Sequence, residues 1–429
     1  MTCVILAGGK GSRVAAAYPD IAKAMIPVFG KPILQHEIEQ FKRNGITDFV
    51  LITGYRHETI EAYFRDGSAF GVRIRYCRET EPLGTAGSLF SLGLQEDFIL
   101  CAGDLLLNVS TEALLKYHRE KNALATIFAH PSSHPFDSTL IRTDCDGRVN
   151  GFFRADESTR SFRNLCSAGV YVISPALLRD HADAFKGKRC DLDKDLLRAA
   201  ITGGCVFAYR SPEFVCDIGT PDRIQSAIEN PKTLSKTSSP AAEKRKAVFV
   251  DRDGTVNEYR GYITDMDEIE LCGKAGSAVN LLHALDYLVI LITNQPVVAR
   301  GECSVEEVEA INGRVEYQLG KEQAYLDDIF WCPHHPDKGY DGENAAFKID
   351  CSCRKPKPGL IRKAAEIYNI DLSASFMVGD SPTDVACAEN AGCVPVWIEN
   401  ERESVKSSCI KVKSLYDFAK KLADNAFSR

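Results

Sequence analysis

The chain has 429 residues, 45% hydrophobic and 26% charged, with a formal net charge of −7. That length predicts two or three domains, the balance excludes a disordered or fibrous chain, and an acidic total gives no overall basic field for nucleic acid or an anionic membrane. No apolar run approaches the ~18 residues that a membrane span needs. The opening MTCVILAGGKGSR reads as a strand and a glycine turn, not as a signal peptide. Cytoplasmic location and small-molecule substrates are therefore the expectation. Most of the 16 cysteines sit in apolar, strand-like contexts, as expected for reduced core residues.

In chain order, CVILAG, FVLITG, VRIRYC and FILCAG read as short buried strands. Between the first two lies PILQHEIEQFKRNG, where Pro32 suits a first helical turn, Leu34, Ile38 and Phe41 share one face, and Gly45 can end the helix. Residues 231–246, within ENPKTLSKTSSPAAEKRK, carry only one large apolar side chain, Leu234, and are expected to form an exposed, mobile linker. Beyond it AVFVDRD, YLVILITNQ and FMVGD are strands that end in polar residues. Alternation of strand and helix predicts two doubly wound α/β domains, 1–230 and 247–429, with parallel sheets and sites beyond the carboxyl ends of the strands. No internal repeat is visible, so the halves read as a fusion and not a duplication.

In VILAGGKGSRV, Gly8, Gly9 and Gly11 allow close backbone approach to an anion, and Arg13 can clamp phosphate oxygens. The turn matches neither GxGxxG nor GxxxxGK[ST]. LAGGKGSR resembles the signature of the sugar-1-phosphate nucleotidyltransferases, and further matches follow in order: Lys23, EPLGTAGS, Asp104 in CAGD and Asp217 in CDIGTPD. The subgroup it looks most like contains mannose-1-phosphate and heptose-1-phosphate guanylyltransferases. The resemblance implies a Rossmann-like sheet over about 1–230. It also implies that Arg13 and Lys23 bind the triphosphate and the attacking phosphate. Gly8 and Gly9, with Gly84 and Thr85, would contact the nucleotide, and Asp104 and Asp217 would hold Mg²⁺. Both reactants are anions, so charge neutralisation and alignment carry such a reaction. The chain departs from the family pattern at Ala22, at Arg154 and Asp156, and at Ser167; the last three touch the sugar pocket.

VFVDRDGT places Asp251 and Asp253 two apart after a strand, where both can face one phosphate. DRDGT looks like the first motif of the haloacid dehalogenase superfamily, and Thr293 in LITNQ, Lys355 in CRKPKPG and Asp380 in MVGDSPTD follow in order. By that resemblance Asp251 is the nucleophile and Asp253 the acid–base. Thr293 and Lys355 bind phosphate, and Mg²⁺ takes Asp251, the Asp253 carbonyl and Asp380, with Asp384 one layer behind. Cys332 and His334, then Cys351 and Cys353, form C-x-H and C-x-C pairs whose four soft donors suit a closed tetrahedral Zn²⁺ site, with His335 a competing ligand. The whole set of motifs resembles the D-glycero-D-manno-heptose 1,7-bisphosphate phosphatases, close relatives of the histidinol-phosphate phosphatases. It implies substrate contacts at Tyr259, Arg260, Gly261 and Tyr262, at Thr293, Asn294, Gln295 and Pro296, and at Arg354, Lys355 and Ser381. Pro296 and Val297 stand where Ser-Gly is common.

Joined, the halves imply a phosphatase that makes heptose 1-phosphate and a transferase, expected to prefer GTP, that activates it. Two alternatives stay open: a histidinol-phosphate-type phosphatase, or a phosphatase fused to a domain that senses nucleotide sugars.

Overall fold

A computed structural model describes residues 1–238, 243–339 and 341–424. Residues 239–242 of the expected linker, and Tyr340 and 425–429 of the expected second domain, lie outside the described residues. The chain divides into two compact units: Met1–His130, Ile141–Phe153 and Ser167–Ala242 form one, and Pro131–Leu140, Arg154–Cys166 and Glu243–Arg429 the other.

In the first unit the strands Arg73–Arg78, Asp48–Thr53, Thr2–Leu6 and Phe98–Ala102 lie side by side and parallel. Their carboxyl ends therefore share one edge, where Gly8, Gly54 and Gly103 follow directly. Backbones meet so closely there that a Cβ on Gly8 would lie 3.2 Å from Gly54 N, and one on Gly103 only 2.6 Å from Leu6 O. The sheet is not parallel throughout, which corrects the expectation. It has nine strands, and Cys166–Ile173 runs antiparallel to Phe98–Ala102. Phe214–Asp217 leaves it altogether to pair antiparallel with Leu105–Asn108. The helix Ile33–Arg43 forms where the spacing puts it, with Leu34, Ile38 and Phe41 buried and Gly45 at φ +81° closing its end.

The second unit carries a six-stranded parallel sheet in the order Asp328–Cys332, Tyr287–Asn294, Lys246–Val250, Phe376–Gly379, Val394–Ile398, Ile410–Val412. Alternate residues feed two cores. Val248, Val250, Val289 and Leu291 point into one; Ala247, Phe249, Ile290 and Ile292 point into the other. Near-continuous apolar strands follow from that double burial.

The packing differs from the expected division in two places. Pro231–Ser238, expected within an exposed, mobile linker, is a helix, and Thr233 and Thr237 are buried in it. Its last carbonyls are satisfied from elsewhere in the unit: Asn108 Nδ2 donates to Lys236 O at 2.7 Å, and Arg43 Nη2 to Thr237 O at 2.5 Å. Composition alone could not show those donors. Likewise Pro131–Leu140 and Arg154–Cys166, inside the expected 1–230 domain, pack with the second unit. Arg163 from that stretch pairs with Glu309, Glu316 and Asp328 at 3.1, 2.9 and 3.2 Å, and Phe136 and Phe162 pack edge-on against Tyr317. The acidic partners lie 146, 153 and 165 positions away in sequence, beyond the reach of any local pattern.

Candidate active sites and metal centre

In the first unit the glycine loop opens off the strand Thr2–Leu6. Gly11, at φ +60°, has no room for a side chain: a Cβ would meet Val14 Cγ2 at 2.9 Å and Lys23 Cβ at 3.1 Å. The loop thus packs on the stem of Lys23, whose ammonium pairs with Asp104. Asp217 reaches the same place by pairing antiparallel with Leu105, and Ile218 N–H donates to Asp104 O at 3.1 Å. Gly219 closes the group. A Cβ there would lie 2.7 Å from Asp217 Oδ1, 3.0 Å from Lys23 Nζ and 3.2 Å from Arg13 Nη2. Arg13, Lys23, Asp104 and Asp217 therefore converge around a side-chain-free space. Arg223, unforeseen in sequence, pairs with Asp217. Gly9 is open: a Cβ on it would meet nothing within 4 Å. Gly84, at φ +80°, packs on Cys190 O, while Thr85 Oγ1 accepts from Leu192 N–H at 2.7 Å. That loop is held by residues 188–192.

Three other side chains near this edge escaped sequence reasoning. Glu37 is buried in the helix Ile33–Arg43 and accepts from Leu105 N–H at 2.8 Å; burial first, then Asp104, raises its pKa well above the carboxylate range. Ser167 donates to Tyr171 Oη at 2.8 Å, and Tyr171 donates to Asp193, whose carboxyl burial pushes up to about 6. Ala22 is a buried core residue. Arg154 and Asp156 are exposed and lie in the second unit's segment, where Asp156 caps its own turn through Ser158 and Thr159.

In the second unit the strand ends bring the second set of motif residues together. Asp251 N–H donates to Val378 O at 3.0 Å, which sets Asp251 beside the strand that leads to Asp380. Asp251, Asp380 and Asp384 are buried, each offering an oxygen within 4.8 Å of the others. Lys355 Nζ stands among them, 2.6 Å from Asp251 and 2.6 Å from Asp384, and bonds Ile292 O at 2.9 Å. Burial pushes Asp251 and Asp380 up to about 6 and raises Asp384, despite the pull of Lys355. Asp384, expected one layer behind, is a full member of this cluster. Its carboxylate also completes the capping box of the helix Pro382–Ala391, where Ser381 is the N-cap. A Cβ on Gly254 would collide with Asp380 Oδ2, so that glycine is needed for the carboxylate to enter.

Thr293 and Gln295 are buried; Asn294 and Lys355 bond each other reciprocally, through the Asn294 amide and the Lys355 backbone, at 3.1 and 3.0 Å. Pro296 and Val297 are buried too, Val297 in the core. Tyr259 and Tyr262 are exposed, stacked under Arg402 at 3.5 Å and Arg300 at 3.9 Å, while Arg260 pairs with Glu270 and Gly261 turns at φ +78°. Arg402, which also pairs with Asp380, had no motif to announce it.

Cys332, at the end of its strand, meets His334 Nδ1 at 3.5 Å and Cys351 at 3.5 Å; Cys353 lies 3.1 Å from both sulfurs and 3.3 Å from His334. Hydrogen bonding with Cys332 lowers the Cys353 thiol. His335 stays outside this quartet. Arg354 Nη1 donates to His334 O at 3.2 Å, tying the cluster to the loop that carries Lys355. Every cysteine is free. Among the described residues no helix is long and apolar enough to cross a membrane.

Comparison with known proteins matches residues 2–233 to the nucleotidyl transferase family model and 352–413 to a HAD-hydrolase-like model. The D-glycero-beta-D-manno-heptose-1,7-bisphosphate 7-phosphatase of Pasteurella multocida is 38% identical over 147 residues, covering 34% of this chain and 77% of that protein. The same-named protein of Escherichia coli K12 is 35% identical over 153 residues, 35% of this chain and 78% of that one. Among solved structures, HddC from Yersinia pseudotuberculosis complexed with GMP-PN is 22% identical, covering 53% of this chain and 98% of that chain, at a TM-score of 0.45.

Proposed function

We propose, from the premise that the chain belongs to the nucleotidyl transferase family through its first half and to the D-glycero-beta-D-manno-heptose-1,7-bisphosphate 7-phosphatase family through its second, that it is a bifunctional enzyme of nucleotide-activated heptose synthesis. The second half removes the 7-phosphate from heptose 1,7-bisphosphate. The first half couples the resulting heptose 1-phosphate to a nucleotide, GMP from GTP. The observation that carries this reading is the buried Asp251–Lys355 pair beside Asp380 and Asp384, joined in one chain to the convergence of Arg13, Lys23, Asp104 and Asp217. A transferase for mannose 1-phosphate would have no use for such a phosphatase, and a histidinol phosphatase none for such a transferase.

Asp251 attacks phosphorus and forms an aspartyl phosphate as the bond to the sugar oxygen breaks; Asp253 gives that oxygen its proton. Asp253 then takes a proton from the water that attacks phosphorus and frees Asp251. Lys355 offsets charge on the nucleophile and on the phosphoryl oxygens. Three buried carboxylates facing one ammonium fit a hard divalent cation, and Asp251, Asp380 and Asp384 with the Asp253 carbonyl would hold Mg²⁺ there. Bound Mg²⁺ supplies neutralisation of the phosphoryl group. In the first half, Arg13 and Lys23 align the sugar phosphate with the α-phosphorus, and pyrophosphate leaves. Asp217 borders the space above Gly219 and Asp104 meets it through Lys23; the two would hold a second Mg²⁺, which would supply charge neutralisation to the phosphates. Cys332, His334, Cys351 and Cys353 would bind Zn²⁺, which fits their soft, closely spaced donor set.

The decisive experiment mixes the protein with each anomer of heptose 1,7-bisphosphate, each nucleoside triphosphate and Mg²⁺, and weighs the products. Heptose 1-phosphate, then a GDP-heptose with pyrophosphate, is expected. Phosphate release with no pyrophosphate from any triphosphate would replace the transferase by a nucleotide-sugar sensor.

A further inference from the structure

Between the two motif aspartates stands Arg252, at 0% exposure. A guanidinium is seldom buried without several acceptors, and here each of its three nitrogens has a partner. Nε donates to Asp253 Oδ1 at 3.1 Å and Nη2 to Asp253 Oδ2 at 2.9 Å, a forked grip on the carboxylate next door. Nη2 also donates to Gln295 Oε1 at 2.9 Å, and Nη1 to Asn312 Oδ1 at 3.1 Å, on the buried face of the helix Val305–Lys321. Gln295, its amide thereby oriented, donates from Nε2 to Asp253 Oδ2 at 3.0 Å and to Thr293 Oγ1 at 2.9 Å. Asn257 Nδ2 adds a bond to Asp253 Oδ1 at 3.0 Å. The turn itself is closed on Arg252, whose carbonyl accepts from Val256 and Asn257 N–H at 2.9 and 3.0 Å. Both oxygens of Asp253 are thus held by Arg252, Gln295 and Asn257, and the guanidinium also sets the Gln295 amide.

We propose that Arg252, anchored by Asn312, is a positioning residue of the phosphatase: it aims the Asp253 carboxyl and the Gln295 amide as one unit without touching substrate. The inference rests on the phosphatase reading above. In that reaction a proton passes from Asp253 to the leaving oxygen as the ester bond breaks, and back to Asp253 from the attacking water. A carboxyl that swings freely would miss the leaving oxygen, and a small misplacement is costly in proton transfer. Lysine, a point charge with no fork, could not grip both oxygens and Gln295 together.

Leaving-group dependence separates this role from mere support of the fold. A sugar oxygen needs its proton; p-nitrophenolate leaves without one. With the whole chain and Mg²⁺ under single-turnover conditions, Arg252→Lys is expected to slow release of the sugar from a sugar phosphate ~100-fold but the p-nitrophenolate burst from p-nitrophenyl phosphate less than ~5-fold, since general acid catalysis supplies roughly 10²–10⁴ and the burst precedes the aspartyl-phosphate hydrolysis that needs Asp253 for either ester. Asn312→Ala, which removes only the anchor, is expected to show the same selectivity at ~10-fold. In an Asp253→Asn background the Arg252→Lys change should add almost nothing with the sugar ester, because it acts through the missing acid. Equal losses of this cleavage step on both esters, in Arg252→Lys or in Asn312→Ala should the first fail to fold, would overturn the proposal, as would an additive loss in the double variant. A wild-type chain inert towards both esters would instead overturn the phosphatase reading, and this inference with it.

Discussion

The two candidate sites face the same problem, negative groups that must meet a negative phosphate, and handle it in different surroundings. In the second unit the ions are inside: the Lys355 side chain keeps 3% of its exposure, Asp384 0% and Asp380 6%. Lys355 is already placed among the carboxylates it serves, and parallel strand ends supply the platform. In the first unit the ions lie nearer water: Lys23 and Asp104 keep 15% and 20%, and Arg223, on the helix Pro221–Glu229, and Asp217, at its strand's end, keep 33% and 46%. Water screens those pairs, so they hold one another loosely and are available to a polyphosphate. A buried, preassembled set suits a small phosphoryl group that must be desolvated. A half-open set suits a triphosphate and a sugar phosphate that arrive as two large anions.

The largest expected effect tests whether the buried set acts alone. Asp251→Asn should abolish phosphate release from heptose 1,7-bisphosphate, a loss of at least ~10³-fold, because the covalent route has no other nucleophile. Pyrophosphate release from heptose 1-phosphate and GTP should stay within ~3-fold of wild type, since the change lies in the other unit. Assaying both products in one preparation checks this. Near-normal phosphate release would remove Asp251 from its role, and loss of both would show that the sites are not separate.

The cluster of Cys332, His334, Cys351 and Cys353 sharpens the same contrast, because Arg354 ties it to the loop that carries Lys355. Metal analysis of purified protein should find one zinc per chain, and Cys351→Ser should lose it with most phosphatase activity, structural zinc being worth on the order of 10 kcal/mol to local folding. Transferase activity should persist. Unchanged zinc in the variant would refute the assignment.

On the open side, Asp104→Ala and Asp217→Ala should each slow nucleotidyl transfer ~100-fold by stripping charge from the cation that aligns the phosphates. The thermal melt of Asp217→Ala should move little, as expected for a water-screened pair with Arg223. Variants that melt lower but turn over normally would make these residues structural.

The smallest effect concerns stability. Arg163→Met should destabilise the second unit by on the order of 3 kcal/mol by taking the guanidinium from Glu309, Glu316 and Asp328. A melt of the full chain followed through phosphatase activity should show it. No shift would mean that these three ion pairs add nothing to that unit's stability.

Legibility followed locality. The helix Ile33–Arg43 and the strands around both motif sets were readable because periodicity and turn residues act over a few positions. Asp251, Lys355 and Asp380 could be named because each ends a strand or opens a loop at a fixed place in an ordered motif. Asp384 was misplaced because a residue in a capping box looks like a helix start, and only the fold shows its other face meeting Lys355. Arg402 and Arg223 had no motif, and Glu37 reads in sequence as a polar position on an amphipathic helix.

The sequence by itself determined the α/β class, the two motif sets, the candidate nucleophile and the four soft metal donors, since these depend on neighbours a few residues apart. Tertiary structure alone decided three things. It folded Pro131–Leu140 and Arg154–Cys166 into the second unit, and it made a helix of Pro231–Ser238 by bringing donors from Asn108 and Arg43 to its last carbonyls. It also brought Asp217 to Asp104 through an antiparallel pair outside the main sheet. Each outcome rests on hydrogen bonds or ion pairs between residues roughly a hundred or more positions apart, whose free energy appears only once the chain has closed on itself.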